Sequence, residues 1–440
     1  MMKKTVLVSG GAGYIGSHVS VELLSAGFDV VVADNFSNCD LTCFEGVRKI
    51  TGRDDLPLVK MDFCDAAAVR KLFSDYPIDA VIHFAAFKAV GESVEQPLKY
   101  YKNNLDSFLN VLESAQAHSA KVLFSSSATV YGEPDKMPVT EESPRKPATS
   151  PYGNTKQICE DILRDTILAS KGAVQGIALR YFNPIGAHPS ALIGELPRGV
   201  PNNLVPYITQ TAIGKRECLS IFGNDYSTPD GTCLRDYIDI VDLAKAHVFA
   251  VRRMLDGRME ADYEIFNIGT GRPVSVLELV QAFERVNGLK LNYRFAPRRE
   301  GDVTAIWADP SRANTVLGWR AERTIEETLA AAWAWEKHVA KQESWRRAQK
   351  RRPAGSVPRA ATKVPNGWGD ARHAGSGTRW WKRPSSPGRS LLSGAKASPA
   401  QPANPSACLI SIHRPRTASP LATPRWTASS AGDWYRVPWC

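Results

Sequence analysis

Apolar residues along this chain fall into two rhythms that alternate. Thr5 to Val8 is a short run of β-branched and apolar residues that stops at a cluster of glycines, and Ile15, Val19 and Leu23 then recur at helical spacing. The run Val30-Val31-Val32-Ala33 ending at Asp34, then Leu58 to Asp62, then Ala80 to Phe84 read as further strands separated by helical stretches. Continuous apolar strands alternating with helices predict an α/β fold built on a parallel, doubly wound sheet. Later in the chain, the apolar spacing of Ile238 to Met254 suits a helix packed on that sheet. Val274 to Val286 and Thr324 to His338 also read as helices, with Trp333 and Trp335 serving as packing residues.

At 440 residues the chain exceeds what one core supports, so two or more units are expected. The net charge of +10 is not shared evenly. From residue 341 onward there are 18 Lys and Arg against three Asp and Glu, which leaves 37 against 42, or −5, for the first 340 residues. The same last segment holds 12 of the 29 prolines and seven of the 11 tryptophans, and no helical or strand period is visible in it. Residues 339–440 are therefore expected to be a low-complexity, disordered basic tail, either an accidental extension or a flexible arm. Clusters such as Lys350-Arg351-Arg352 could adhere to nucleic acid or an anionic membrane, but charge runs of this kind are more often merely solvated, and no nucleic-acid partner is expected. The eight cysteines form no C-x-x-C pair and no zinc-like spacing with histidine, so no metal is expected and reduced thiols are. Met1-Met2-Lys3-Lys4 leads straight into the first strand and no run approaches membrane-spanning length, so a cytoplasmic setting without membrane attachment is expected.

Two patterns carry chemistry. In TVLVSGGAGYIGSHV, Gly10, Gly13 and Gly16 are three apart, and Gly11, Gly13 and Gly16 match G-x-G-x-x-G between a strand and a helix. Such a turn, continuing through Tyr14 and Ile15, lets a pyrophosphate approach the backbone and rest on the N–H groups of a helix N-terminus. Asp34 stands 18 residues beyond Gly16, close to the spacing at which a carboxylate binds a ribose 2′-hydroxyl. With Asn35 and Phe36 following it and no arginine, NAD is expected rather than NADP. The second pattern is SPYGNTK, where Tyr152 and Lys156 are four apart and share one helix face, so that an ammonium can favour the phenolate. A free phenol titrates near ~10, and a fixed cation is what brings its proton loss within reach of neutral pH. Ser127 precedes this pair, with Ser125 and Ser126 beside it as alternatives.

The ordered motifs HFAAFKAVGESVEQPLKYYKNN, FSSSATVYGEP, SPYGNTK, RYFNPIGAHPSALIGE, PNNLVPYI, FGNDYSTPDGTCLRDYI and FAPRREGD resemble those of the UDP-glucose 4-epimerase family, a branch of the extended short-chain dehydrogenases and reductases, over residues 3 to 338. The resemblance implies tightly held NAD that is reduced and reoxidised in each turnover, a UDP-hexose substrate and a homodimer formed through helices near Asn103 to Ala117 and Tyr152 to Ile167. It implies a Rossmann-type NAD domain over residues 1–180 and a smaller substrate lobe over 181–338, with a crossover back near 238–254. Tyr152 would be the base, Lys156 would depress its pKa and bind the nicotinamide ribose, and register against Tyr152 singles out Ser127 as the proton relay. Asp62 and Phe63 would lie near the adenine, Phe84, Ala85 and Ala86 along the NAD path, Lys88 near its phosphate or ribose, Asn103 near the pyrophosphate or a neighbouring strand loop, and Tyr181 by the nicotinamide. In the substrate half, Arg235 and Arg299 would grip the diphosphate and Asn183, Asn203 and Leu204 would contact sugar and diphosphate. Phe222 would flank uracil and Asp302 would bind the uridine ribose, while Arg235 could instead pair with Asp236. Ile306 occupies the position that sets the room beside sugar C2, and isoleucine leaves N-acetylated substrates undecided. The chain departs from the pattern at Asp239, where a histidine is frequent.

Overall fold

The computed structural model describes residues 3–299 and 302–350, with side chains to residue 345. Its strands are β1 (Thr5–Ser9), β2 (Asp29–Asp34), β3 (Leu58–Lys60), β4 (Ala80–His83), β5 (Lys121–Ser127), β6 (Gly176–Tyr181), β7 (Asn183–Ile185), β8 (Leu219–Phe222), β9 (Leu234–Asp239), β10 (Tyr263–Ile268), β11 (Pro273–Ser275), β12 (Tyr293–Ala296) and β13 (Ala305–Ile306). The α-helices are α1 (Tyr14–Ser25), α2 (Leu41–Thr51), α3 (Ala66–Asp75), α4 (Val90–Glu95), α5 (Pro97–Ala117), α6 (Pro151–Ser170), α7 (Leu204–Ala212), α8 (Ile240–Leu255), α9 (Val276–Asn287) and α10 (Ile325–Lys350).

Seven parallel strands form the main sheet in the order β10-β6-β5-β4-β1-β2-β3. Side chains alternate across it, so Val6 and Val8 enter one core while Leu7 enters the other. The first core is closed by α1, α2 and α8 through Val19, Leu23, Phe44, Val47, Leu243 and Val251. The second is closed by α3, α5 and α6 through Leu72, Phe73, Phe108, Val111 and Leu163. Burial on both faces explains why these strands lack polar alternation. The reversal of strand order between β1 and β4 opens a crevice at their C-terminal ends, where ligands of such sheets bind.

The later residues supply two smaller sheets. One joins β7, β9, β11 and β13, and the other pairs β8 with β12. A third core of Ile208, Leu279, Phe283 and Leu329 joins α7, α9 and α10 beneath them. The return to the first sheet goes further than the expected helix over 238–254, because the chain follows α8 with β10, which pairs in parallel with β6.

One expectation fails. The tail was placed from residue 339, yet α10 continues to Lys350. Val339 is buried against the first core, and Lys215 holds both Glu336 (3.0 Å) and Glu343 (3.3 Å), so tertiary contacts sustain a helix whose own sequence shows no apolar stripe there. The rest of the expected tail, 351–440, lies outside the described residues.

Candidate active site

The first turn of the site follows from glycines that nothing else could replace. Gly10 has a φ of +69°, and a Cβ there would meet the Ala85 backbone nitrogen at 3.0 Å; one at Gly16 would meet Gly10 O and Gly11 Cα, each at 2.6 Å. The backbone can therefore lie close to a ligand, and Gly13 begins α1 without a capping side chain. First-turn N–H groups left uncapped this way make an anion cradle suited to a pyrophosphate. Tyr14 donates its hydroxyl to Gly186 O (2.8 Å), which ties this turn to the strand β7 loop, while Ile15 packs against the first core.

Asp34, 7% exposed, ends β2. Its Oδ2 accepts from Ala12 N (3.1 Å) and its Oδ1 from Phe36 N (2.8 Å), so the acid is held against the glycine turn it is expected to serve. Asn35 instead bonds Ser37 N. Asp62 Oδ1 accepts from Cys64 N (2.9 Å), and the Phe63 ring is core, edge-on to His83. Phe84, Ala85 and Ala86 follow β4; Ala85 N is 3.4 Å from Ser9 Oγ, and the Phe84 ring lies 5.0 Å from that of His247. Asn103 donates to Asn104 Oδ1 (3.0 Å). Lys88 is not free: its Nζ lies 3.3 Å from Glu195 Oε1.

Ser127 ends β5, and its Oγ accepts from Thr129 N (3.3 Å). Ser150 caps α6 by accepting from Gly153 N (3.2 Å), so Tyr152 sits in the first helical turn and Lys156 one turn later. The three side chains thus meet at the C-terminal edge of the central strands. The lysine, however, donates to Ser125 O (2.6 Å), and its Nζ is 5.9 Å from the Tyr152 ring centroid. Burial pushes the phenol up to about 12, opposed by the Ser127 hydroxyl, and burial pushes Lys156 down to about 8. In the protein alone, desolvation is the largest influence on the phenol, and the Lys156 ammonium bonds a backbone carbonyl. Tyr181 donates to Ser125 Oγ, so one serine holds both Lys156 and Tyr181. A buried network sets α6 in place, with Arg180 bidentate to Glu160 (2.8 and 2.6 Å) and bonded to Tyr131 OH (3.0 Å).

On the other wall, Asn183 opens β7, and Asn203 precedes Leu204, the first residue of α7. Asn203 Nδ2 donates to Glu195 Oε1 (2.6 Å). Phe222 ends β8 and is 45% exposed. Arg235 on β9 reaches Asp302 (3.5 Å) and not Asp236, whose carboxylate accepts from Thr270 N, Gly271 N and Ala308 N. Arg299 is exposed, with Nη2 4.0 Å from where a Cβ on Gly91 would lie. Ile306 is buried with Val139, Phe182 and Ala308. Asp239 caps α8 through Val241 N (2.7 Å) and accepts from Thr328 Oγ1 (2.8 Å), with Arg323 Nε 3.1 Å away, which accounts for an acid at this position.

Two residues of the site, and the role of a third, escaped the sequence reading. Ser125 was hidden in a run of three serines, and His247, 5.6 Å from the Tyr181 ring, belongs to a helix read only for packing. Glu195 lies inside a quoted motif, but only the folded chain brings it to Lys88 and Asn203.

A family model described as GDP-mannose 4,6 dehydratase matches residues 7–332. The UDP-glucose 4-epimerase of Bacillus subtilis is 51% identical over 332 residues, covering 75% of this chain and 96% of its own length. The human UDP-glucose 4-epimerase is 48% identical over 347 residues, covering 76% and 97%. Among solved structures, the Bifidobacterium longum UDP-glucose 4-epimerase in complex with NAD+ and UDP is 45% identical with a TM-score of 0.73, over 76% of this chain and 98% of that one. With the glycine turn, the Ser127, Tyr152 and Lys156 cluster and these likenesses together, the chain belongs to the UDP-glucose 4-epimerase branch of the extended short-chain dehydrogenase/reductase family.

Proposed function

We propose that this protein interconverts UDP-glucose and UDP-galactose by transient oxidation at sugar C4, using NAD held between the glycine turn and Asp34. The observation that carries the reading is the convergence of Ser127, Tyr152 and Lys156 at the crevice rim, beside an uncapped α1 N-terminus. NAD, held by the glycine turn and Asp34, would supply the hydride acceptor for sugar C4 and the hydride donor for its return. Tyr152 removes the O4 proton, with Ser127 bonded to the same oxygen as relay. The phenol is pushed up to about 12 by burial, and the Lys156 ammonium, which spends one of its three N–H donors on Ser125 O, keeps two to favour the phenolate and bind the ribose. Arg235, Arg299, Asn203, Leu204, Phe222 and Asp302 anchor UDP, which leaves the hexose free to rotate so that its other face receives the hydrogen.

A 4,6-dehydratase would need a further acid and base near C5 and C6, and Ala128 and Thr129 stand where an Asp-Glu pair would follow the serine. A homodimer through α5 and α6 fits their exposed apolar residues, Leu98 (81%) and Leu168 (71%) among them. No described helix is long and apolar enough to cross a membrane.

Purified protein mixed with UDP-galactose and no added NAD should yield UDP-glucose. A 4-keto-6-deoxy product would indicate a dehydratase, and no product would indicate a scaffold. Tyr152→Phe should lower turnover by about 10²- to 10⁴-fold while UDP still binds, and an active variant would remove Tyr152 from the role of base.

A further inference from the structure

We propose that Glu195 is a positioning residue that keeps the diphosphate-receiving end of α7 open by withholding Asn203 from capping its own helix. The inference rests on the reading above, in which Asn203 and Leu204 meet the substrate. Asn203 occupies the N-cap position with the extended backbone of a cap (φ −94°, ψ 149°), and asparagine is among the strongest N-capping residues. It nevertheless makes no capping bond. Its amide N–H is instead donated to Glu195 Oε1 at 2.6 Å, so the N–H groups of Leu204 and Val205 stay available to an anion; Pro206 has none, which leaves Val205 N–H as the donor that an Asn203 cap would take.

Glu195 is built to hold that position. Its side chain is only 13% exposed, and Lys88 Nζ lies against the same Oε1 at 3.3 Å. Its carbonyl accepts from Trp335 Nε1 (2.9 Å) on α10, and the preceding carbonyl, of Gly194, accepts from Cys43 Sγ (3.4 Å) on α2. A Cβ on Gly194 would meet the Trp335 indole at 2.5 Å, so the backbone here is pressed onto that ring. A carboxylate mounted on two helices and neutralised by one lysine is a rigid acceptor. Without it, the Asn203 oxygen is free to rotate onto the Val205 N–H and compete with a phosphate oxygen for it.

The test uses the NAD-loaded enzyme. Glu195→Ala should raise both the KM for UDP-galactose and the calorimetric Kd for UDP about five- to twentyfold, with kcat within about twofold of the parent. Glu195→Gln, which keeps an acceptor for Asn203, should stay within about twofold in all three. On an Asn203→Ala background, which has no self-cap to release, adding Glu195→Ala should change KM little. Equal damage from the Ala and Gln variants, a loss confined to kcat, or full additivity with Asn203→Ala would overturn the inference. Failure of the parent enzyme to turn over UDP-galactose would instead overturn the proposed function, and the UDP titrations would still judge Glu195.

Discussion

At the scale of single residues, the fold commits titratable side chains to the interior and so ties its stability to pH. Burial pushes His18 and His83 down to about 3 and His247 down to about 4. The unfolded chain protonates these imidazoles below about 6.5, whereas the folded one keeps them neutral, so the unfolded state gains protons first as pH falls. Stability is complete above about pH 6.5 and declines toward pH 4, by up to about 1.4 kcal/mol per pH unit for each histidine. Lys156 acts in the other window with the same sign. Its folded pKa near 8 lies below its unfolded value of 10.5, so the penalty for burying its charge is relieved as pH rises from about 8 to 10.5. Urea midpoints measured from pH 7 to 5 should fall steadily; a flat profile would mean that these imidazoles are not held neutral.

Among the elements, α2 offers a case in which local preference and packing oppose each other. Gly46 lies mid-helix, where alanine is worth about 1 kcal/mol more by helix propensity alone. A Cβ at that position would meet Leu192 O at 2.3 Å, and that oxygen belongs to backbone leading into Glu195. Gly46→Ala should therefore destabilise by about 1–3 kcal/mol, lowering the thermal midpoint, and a rise would show that the contact yields. The same opposition explains what the sequence could and could not reveal. β1, β2, β4, α1, α8 and α9 were legible because each buries a long apolar set bounded by glycines or caps. β7, of three residues, and β13, of two, are too short to carry a period, and the pairing of β10 with β6 joins segments about 87 residues apart in the chain. Tyr152 and Lys156 were legible from helical spacing read together with the glycine-rich opening, since the spacing alone is common. Lys156's actual partner, Ser125 O, was not, because a backbone carbonyl leaves no mark in sequence.

For the whole molecule, the question is how much of the chain the chemistry needs. Three quarters of it covers 96% of the Bacillus subtilis relative, and the proposed site residues all lie at or before Ile306. The described helix α10 nevertheless runs past the point where the resemblance stops, at residue 338, and residues just beyond it are engaged: Val339 in the first core and Glu343 at 3.3 Å from Lys215. Trp335, on the same helix, holds the carbonyl of Glu195. Two cuts should therefore behave differently. A chain ending at residue 350 removes 14 Lys and Arg with two Asp and Glu, which takes the net charge from +10 to −2, and should keep UDP-galactose turnover within about twofold. A chain ending at residue 338 loses the Val339 contact and the Glu343 pair, and frays α10 toward Trp335. It should unfold at lower temperature, with a raised KM as the Glu195 mount loosens before the catalytic cluster does. Comparison of the thermal midpoint, KM and kcat of the two truncated proteins decides the matter, and equal behaviour would mean that α10 beyond residue 338 supports nothing in the site.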